Sequence, residues 1–368
     1  MLLIATALLP ATLLAQTVSA QTVASGLVNP WALAFLPDGR FLVTERPGTL
    51  RIVQADGKTG RPLDGLPEVA DGGQGGLLDV LLDSDFARNR TLYFCFSEPG
   101  TFSNSSALAR ATLSGDNTRL DNVKVIFSQK PKVRSSAHFG CRITEGQNGS
   151  KADGTLFLTL GDRFSRRDDA QKLDNHIGKI VRINKDGSVP KDNPFVGRAG
   201  ALPEIWSYGH RNVQGATLSP DGTYWTHEHG PQGGDEINLP QPGRNYGWPV
   251  IGYGDNYGGG SINGGLKAQA GMEQPLHYWV PSIAPSGMAF LTSDKYGAGW
   301  RGNLFVGSLK FAYLARLELA APFKGKVVRE HKLIEGLGRI RDVRQGPDGL
   351  LYVLTDSGDG KLIRLVPG

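Results

Sequence analysis

The chain has 368 residues, a length that allows either one large all-β domain or two average domains. Its 40 Lys and Arg residues against 35 Asp and Glu residues give a net charge of +5, and the basic residues are scattered. Because it has neither a basic stripe nor a reading motif, a typical nucleic-acid-binding protein is excluded. The 50 glycines and 22 prolines are typical of many short strands joined by turns.

The N-terminal segment is apolar and uncharged, since Asp38 is the first charged residue. The small residues Val18-Ser19-Ala20 resemble a cleavage site, so residues 1–20 are expected to be a secretory signal, although the usual basic region is missing. A buried N-terminal helix is the alternative, and the run is too short and interrupted for a membrane span. We therefore expect a periplasmic or secreted protein without a membrane span, cleaved near Ala20, with one domain over residues 21–368.

After this segment, one pattern occurs six times. Each unit has an apolar strand, a turn often written PDG, a second strand, a loop, and a strand of alternating charged and apolar residues. An Asp-Gly turn between alternating strands indicates a hairpin. The repeats predict an all-β, six-bladed β-propeller with four-stranded blades, with a β-sandwich or two small β domains as alternatives. The segment TVASGLVNP, residues 22–30, would close the ring by joining the last blade.

Two cysteines, Cys95 and Cys141, stand in strand-like surroundings. In an exported protein they could form a disulfide, but two cysteines are not a disulfide framework. A bridge and two buried thiols both remain open at this point.

Loops at one end of a propeller bring distant residues together over its channel, so polar clusters in these loops are candidate sites. Gln74 lies between two glycine pairs, and glycine lets a backbone approach a ligand closely. His138 precedes a strand, and Asp162 at the end of the next strand could orient it as a base. Arg211 and Asn212 follow His210, and the planar arginine fork suits carboxylates and polarised carbonyls. Plain loop, structural or surface roles are the alternatives for all of them.

The stretch THEHGPQGGDE, residues 226–236, combines two histidines with turn residues and acids. Zinc is weakly supported because no third histidine is near and HExxH is absent. A phosphate cradle is unsupported because the P-loop pattern is absent. Calcium accepts hard oxygens, including backbone carbonyls, in irregular geometry. Oxygens of that kind are available from Gly230, Pro231, Asp235, Glu236 and the Tyr246 carbonyl.

Three further cations complete the candidate site. Lys310 follows a strand, and Arg339 and Arg341 alternate on one strand face without an obvious acid partner. Surface arginines on a solvated strand are the alternative. If these residues and Arg211 share one channel, that channel suits a small ligand with several carboxylates better than a neutral sugar alone.

Eight short motifs follow one another along the chain: QGGLLDV, AHFGCRI, TLGDR, GHRNVQG, EHGPQGGDEIN, GRNYGWP, GSLK and GRIRDV. This ordered series resembles the soluble, PQQ-dependent aldose sugar dehydrogenases. These are six-bladed propellers related to the soluble quinoprotein glucose dehydrogenase. Each motif alone is weak, but the series spans nearly the whole mature chain in the family's order. The resemblance implies oxidation of an aldose at its anomeric C1 hydroxyl to an aldonolactone, with hydride transfer to Ca²⁺-bound PQQ.

The resemblance also implies roles for individual residues. His138 matches the general base, Asp162 its orienting acid, and Arg211 the group that stabilises developing charge. The carbonyls of Gly230 and Pro231 match the ligands of the PQQ-bound calcium, and Glu236 and Tyr246 match a second, structural calcium site. The positions that match PQQ contacts are Gln74, Arg211, Asn212, Tyr257, Ser308, Leu309, Lys310, Arg339, Ile340 and Arg341.

Two departures from the family bear on substrate and assembly. Ala137 stands where the glucose-selective branch has a polar residue, and the chain is shorter than that branch. We therefore expect a broader aldose range and a monomer, with an unknown electron acceptor.

A calcium-dependent propeller lactonase or hydrolase is one alternative function, and it would not need the cluster of Lys310, Arg339 and Arg341. A non-enzymatic propeller that binds glycans or proteins is the other, and it would not need a buried His–Asp pair.

Overall fold

The computed structural model describes residues 17–368, so residues 1–16 of the expected signal segment lie outside the described part. The described residues form six antiparallel sheets of four strands each. This confirms the prediction of a six-bladed propeller. Across the described residues, helix is confined to α1 (Phe86–Asn89) and two short 3-10 segments, Arg167–Gln171 and Ile262–Gly265. No helix within residues 17–368 is long and apolar enough to cross a membrane.

Twenty-four strands build the blades, with bounds as follows. The sixth blade includes the N-terminal strand β1 (Val18–Leu27). Blade 1 contains β2 (Pro30–Phe35), β3 (Phe41–Glu45), β4 (Thr49–Val53) and β5 (Thr59–Pro62). Blade 2 contains β6 (Leu77–Leu82), β7 (Thr91–Gly100), β8 (Ser103–Leu113) and β9 (Leu120–Ser128). Blade 3 contains β10 (Gly140–Asn148), β11 (Lys151–Leu160), β12 (Lys179–Asn184) and β13 (Ile205–Tyr208).

The remaining blades follow the same order. Blade 4 contains β14 (Val213–Leu218), β15 (Tyr224–Glu228), β16 (Asp235–Asn238) and β17 (His277–Trp279). Blade 5 contains β18 (Pro285–Phe290), β19 (Leu304–Ser308), β20 (Leu314–Ala321) and β21 (Lys324–Leu333). Blade 6 contains β22 (Ile340–Gln345), β23 (Leu351–Thr355) and β24 (Gly360–Pro367), and β1 is its outer strand.

The ring is closed by the N-terminal segment, as predicted. β1 pairs antiparallel with β24, from Val18 opposite Pro367 to Leu27 opposite Gly360. The paired strand begins at Val18, so three paired residues precede the end of the expected signal. Closure between the two ends of the chain removes the open sheet edge that a linear array of blades would leave.

The first strand of every blade lies next to the axis. Each of these strands contacts the first strand of the neighbouring blades, so that β2, β6, β10, β14, β18 and β22 form an inner ring. Apolar residues pack between adjacent sheets, with Leu42, Phe94 and Leu158 among those fully buried. The sequence alternation therefore places one face of each strand against the next blade.

A cluster of buried charges ties three blades together along the axis. The Arg142 guanidinium lies 3.0 Å from Asp342, and the Arg344 guanidinium lies 2.7 Å from Asp79 and 3.0 Å from Asp342. Arg142 also lies over the ring of Trp31 at 4.1 Å. Two cations balance two anions here, and buried pairs of this kind fix the relative placement of elements more than they add stability.

Cys95 in blade 2 and Cys141 in blade 3 form a disulfide, with Cα atoms 5.7 Å apart. Both residues are fully buried. The question that the sequence left open is thus decided in favour of a bridge, which links two neighbouring blades next to the loop that carries His138.

Candidate functional site

A cavity of about 650 Å³ opens at one end of the channel. It lies where the first strand of each blade begins and the second strand ends, and we call it the central cavity. Every blade contributes to it, because these strand ends meet around the axis. Its lining includes Trp31, Arg46, Gln74, Leu78, Phe139, Asn212, His229, Ala284, Lys310, Arg339 and Asp356.

Most of the residues that the resemblance assigns to cofactor or calcium binding line this cavity. These are Gln74, Asn212, Tyr257, Leu309, Lys310, Arg339, Arg341, Gly230 and Pro231. Ser308 and Ile340 are different, because their side chains are fully buried. The Ser308 hydroxyl donates to the Ile283 carbonyl at 2.8 Å, and Ile340 packs in the core between blades 5 and 6. Only backbone atoms of these two residues remain for a ligand.

The expectation that Arg339 and Arg341 lack an acid partner is wrong. Asp356, at the end of the adjacent strand, lies 2.7 Å from the Arg341 guanidinium and 3.5 Å from that of Arg339. Burial alone would raise the pKa of Asp356, but these arginines bring it down to about 2. Among the described residues, Lys310 and Arg46 have no carboxylate within ion-pair distance. The cavity therefore keeps an excess of positive charge.

His138 and Asp162 form the expected pair. The His138 Nδ1 atom lies 2.6 Å from Asp162 Oδ1, and both side chains are buried. Because an ionised carboxylate only accepts, Nδ1 carries the proton and Nε2 keeps its lone pair. Burial lowers the pKa of His138, an effect that Asp162 partly opposes. The imidazole is therefore neutral at pH 7, as a general base must be.

Asp162 is held by two further donors. Its Oδ1 also accepts the backbone N–H of Phe164 at 2.8 Å, and its Oδ2 accepts the indole N–H of Trp248 at 2.8 Å. The backbone N–H of His138 donates to Gln74 Oε1 at 2.8 Å. The orientation of the imidazole is therefore fixed from both sides, by residues of blades 2, 3 and 4.

Arg211 does not line the central cavity, although the sequence analysis placed it in the channel. Its Nη1 donates to the carbonyls of His229 and Gly230 at 3.0 and 2.9 Å. The guanidinium lies over the rings of Trp248 and Tyr257 at 5.3 and 5.9 Å. Arg211 thus stands behind the cavity wall and places its charge at the Gly230 carbonyl.

The turn after β15 presents Gly230 and Pro231 to the cavity. A Cβ atom on Gly230 would lie 2.0 Å from the Gly233 carbonyl oxygen, so only glycine fits there. Asp235, which the sequence offered as a calcium oxygen, instead anchors this turn. It accepts the Gly230 N–H at 2.8 Å, the Ile283 N–H at 2.7 Å and the Ser282 hydroxyl.

Beside this turn, two carboxylates face each other. Glu228 and Glu236 are directly opposite in the β15–β16 pair, and Asn238 Nδ2 donates to them at 3.3 and 3.2 Å. Burial and the neighbouring Glu228 raise the pKa of Glu236 to about 8. A divalent cation would relieve this repulsion. No group of three His, Cys, Asp or Glu residues within 17–368 is placed to hold a metal, so a cation at this place would need further ligands, such as the Tyr246 carbonyl.

Sequence reasoning missed Arg46, Asp356, Trp248 and Phe164. Arg46 and Asp356 follow the second strand of their blades, the same place that Asp162 and Lys310 occupy in theirs. That shared position is a signal in the repeat, because all such residues meet at one end of the channel. Trp248 has no such signal, since it lies in a long loop of blade 4.

Residues 27–364 match the family model of glucose / sorbosone dehydrogenases. The chain belongs to this family. It is 44% identical to the aldose sugar dehydrogenase YliI of Escherichia coli, over 93% of this chain and 91% of that protein. A glucose dehydrogenase crystal structure superposes with a TM-score of 0.89 at 47% identity, covering 94% of this chain and 99% of that one. The PQQ-bound aldose sugar dehydrogenase of Streptomyces coelicolor superposes with a TM-score of 0.77 at 29% identity, covering 96% and 99%.

Proposed function

We propose that this family member is a PQQ- and calcium-dependent aldose sugar dehydrogenase that oxidises the anomeric C1 hydroxyl of aldoses to give aldonolactones. The observation that carries the proposal is the buried His138–Asp162 pair, 2.6 Å apart, whose histidine donates its backbone N–H to Gln74 in the lining of the cationic cavity. Relatives named aldose sugar dehydrogenase and glucose dehydrogenase support the substrate class. The PQQ-bound structural neighbour supports the cofactor.

The central cavity fits a compact ligand with several carboxylates. PQQ carries three, and Lys310, Arg339, Arg341 and Arg46 supply the positive charge that would hold them. When bound, PQQ supplies a quinone that accepts the hydride of the sugar, and calcium supplies a Lewis acid at that quinone. Further contacts would come from the side chains of Gln74, Asn212 and Tyr257 and from the segments around Ser308, Leu309 and Ile340.

Two places suit calcium. Gly230 and Pro231 line the cavity, and their carbonyl oxygens would hold the ion at the cofactor. Glu236, with Glu228 opposite and the Tyr246 carbonyl nearby, would hold a structural ion. The second ion would keep the Gly230 turn in place, because both features belong to the β15–β16 hairpin.

The chain's own residues perform the proton chemistry. His138 Nε2 would take the proton of the C1 hydroxyl, because burial keeps the ring neutral and Asp162 holds the proton on Nδ1. As the O–H electrons form the C1–O double bond of the lactone, the C1 hydrogen leaves with its electron pair. Arg211 supplies a fixed positive charge beside the Gly230 carbonyl and would stabilise negative charge that develops at the bound cofactor.

Replacing His138 with alanine tests this assignment. We expect turnover to fall by on the order of 10²–10⁴, the usual contribution of a general base. PQQ affinity, followed by fluorescence titration, should stay unchanged because His138 is not part of the cationic wall. Full activity in this variant would refute the assignment of His138.

Export and assembly belong to the same proposal. We propose a periplasmic or secreted monomer, cleaved near Ala20, that passes its electrons to an external acceptor. Such cleavage would leave Gln21 as the first residue, still paired with Arg364 in blade 6. N-terminal sequencing of the exported protein and light scattering after gel filtration test these two points.

A further inference from the structure

Phe164 occupies an unusual position for a large apolar side chain. Its relative exposure is 54%, and it stands at the rim of the central cavity rather than in its lining. The Phe164 ring packs against the His138 ring in a T-shaped arrangement, with the two centroids 5.4 Å apart. Phe164 is therefore in contact with the proposed catalytic pair. The ring of Tyr257, which does line the cavity, lies 6.3 Å from it. Phe164 therefore borders the space next to the proposed base.

The backbone that presents Phe164 is strained. Arg163 and Phe164 are consecutive non-glycine residues with φ angles of 56° and 61°, in the left-handed region. Such conformations cost on the order of 1–3 kcal/mol each and persist where the surroundings impose them. Strain of this kind, next to a candidate catalytic residue, is a reason to look for a function in the side chain that it exposes.

Neighbouring contacts hold this conformation. The Asp162 carboxylate that orients His138 also accepts the Phe164 N–H at 2.8 Å. The fully buried Arg163 guanidinium lies 3.8 Å over the Phe139 ring. It also donates to the carbonyls of Ala137 and Ser135 and to the side chain of Asn104. Asp162 and Arg163 thus point inward, and Phe164 is directed outward.

We propose that Phe164, beside Tyr257, is a substrate-binding residue that packs against the apolar C–H face of an aldopyranose ring. This inference rests on the proposed function and names the surface that holds its substrate. The C1 hydroxyl must come within hydrogen-bond distance of His138 Nε2, and the Phe164 ring lies 5.4 Å from the His138 ring between their centroids. The C–H groups of a sugar face carry partial positive charge, and they pack favourably on the negative face of an aromatic ring.

A purely structural role for Phe164 explains less. Packing against His138 alone would call for a buried ring, whereas more than half of this ring faces solvent. A substrate that arrives above the cofactor would cover it.

Two substitutions at this position separate binding from folding. Phe164→Gly removes the ring and also relieves the left-handed strain, so the variant should fold at least as well as the parent. Phe164→Leu keeps an apolar side chain without a flat face. Phe102→Gly is the matched control, because Phe102 is 88% exposed with a φ of 57° on a hairpin tip.

Steady-state kinetics with glucose and a dye acceptor, at saturating PQQ and calcium, give the first readout. We expect KM to rise about tenfold in Phe164→Gly, less in Phe164→Leu and not at all in Phe102→Gly, with kcat changed by less than about twofold. PQQ affinity should be equal in all variants. A lower kcat with a displaced pH profile and an unchanged KM would show that Phe164 only positions His138, and would overturn the proposal.

Binding of methyl β-glucopyranoside gives a second readout that needs no turnover. This glycoside has no free anomeric hydroxyl and cannot be oxidised at C1. In saturation-transfer NMR with the PQQ- and calcium-loaded protein, we expect signals from its ring C–H protons with the parent and strongly reduced signals with Phe164→Gly. Equal signals would overturn the proposal. If the parent oxidised no aldose, the proposed function would fail, while the glycoside comparison would still decide the role of Phe164.

Discussion

Replacing Asp162 with asparagine creates a conflict between hydrogen-bond donors. The carboxylate accepts from His138 Nδ1 and Phe164 N at one oxygen and from the Trp248 indole at the other. Asparagine has one acceptor oxygen and one NH₂ group. If the NH₂ group faces Trp248, two donors oppose each other. If it faces His138, it opposes the Phe164 N–H and forces the His138 proton onto Nε2, where no lone pair remains for the substrate.

Each orientation leaves a buried donor unpaired, which costs about 1–3 kcal/mol of folding free energy. The orientation that satisfies Trp248 also abolishes the useful tautomer, so we expect kcat/KM to fall by on the order of 10²–10⁴. Adding Trp248→Phe removes the opposing indole N–H and keeps an aromatic ring beside Arg211. The NH₂ group can then face that ring while its oxygen accepts from His138 and Phe164.

The double variant should therefore be both more active and more stable than Asp162→Asn alone. A thermodynamic cycle over the parent, the two single variants and the double variant measures this coupling, with kcat/KM and urea unfolding as readouts. Trp248→Phe alone is the control, and it should lose activity modestly. Additive losses in the double variant would refute the reasoning, because they would mean that Trp248 and Asp162 do not share a hydrogen bond.

Three further predictions concern charge and cross-linking. Because burial lowers the pKa of His138 below its ordinary value of 6.5, kcat/KM should be constant near neutral pH and fall only below pH 6.5, as the ring gains a proton. Replacing Cys95 and Cys141 with alanine opens a loop of sequence separation 46 and should cost about 4 kcal/mol in urea unfolding. Lys310→Ala should weaken PQQ binding about 10- to 100-fold in fluorescence titrations, whereas the exposed Arg301→Ala should not.

The fold was predictable because its signals are local and repeated. The PDG turns that end in Gly39 and Gly349 need a positive φ at the glycine, and the structure has values of 85° and 80° there. Alternating strands between such turns specify hairpins, and the number of repeats specifies the number of blades. The His138–Asp162 pair was also accessible, because one residue precedes the first strand of its blade and the other follows the second.

Contacts between distant loops were not predictable in the same way. Trp248 lies 86 positions from Asp162, and its indole reaches the carboxylate only because the long blade 4 loop folds over the channel. The sequence also placed Arg211 in the cavity, whereas its bonds to the carbonyls of the Gly230 turn hold it behind the wall. The Arg341–Asp356 pair was missed, although the β22–β23 register makes their strand ends neighbours.

Reconstitution of the apoprotein is the most direct test of PQQ- and calcium-dependent aldose oxidation. Purified apoprotein is mixed with PQQ, with calcium, with both or with neither, and each sample receives an aldose and a dye acceptor. We expect dye reduction only with PQQ and calcium together, at a stoichiometry of one PQQ per chain, with an aldonolactone as product. Bound PQQ without dye reduction for any aldose would contradict it.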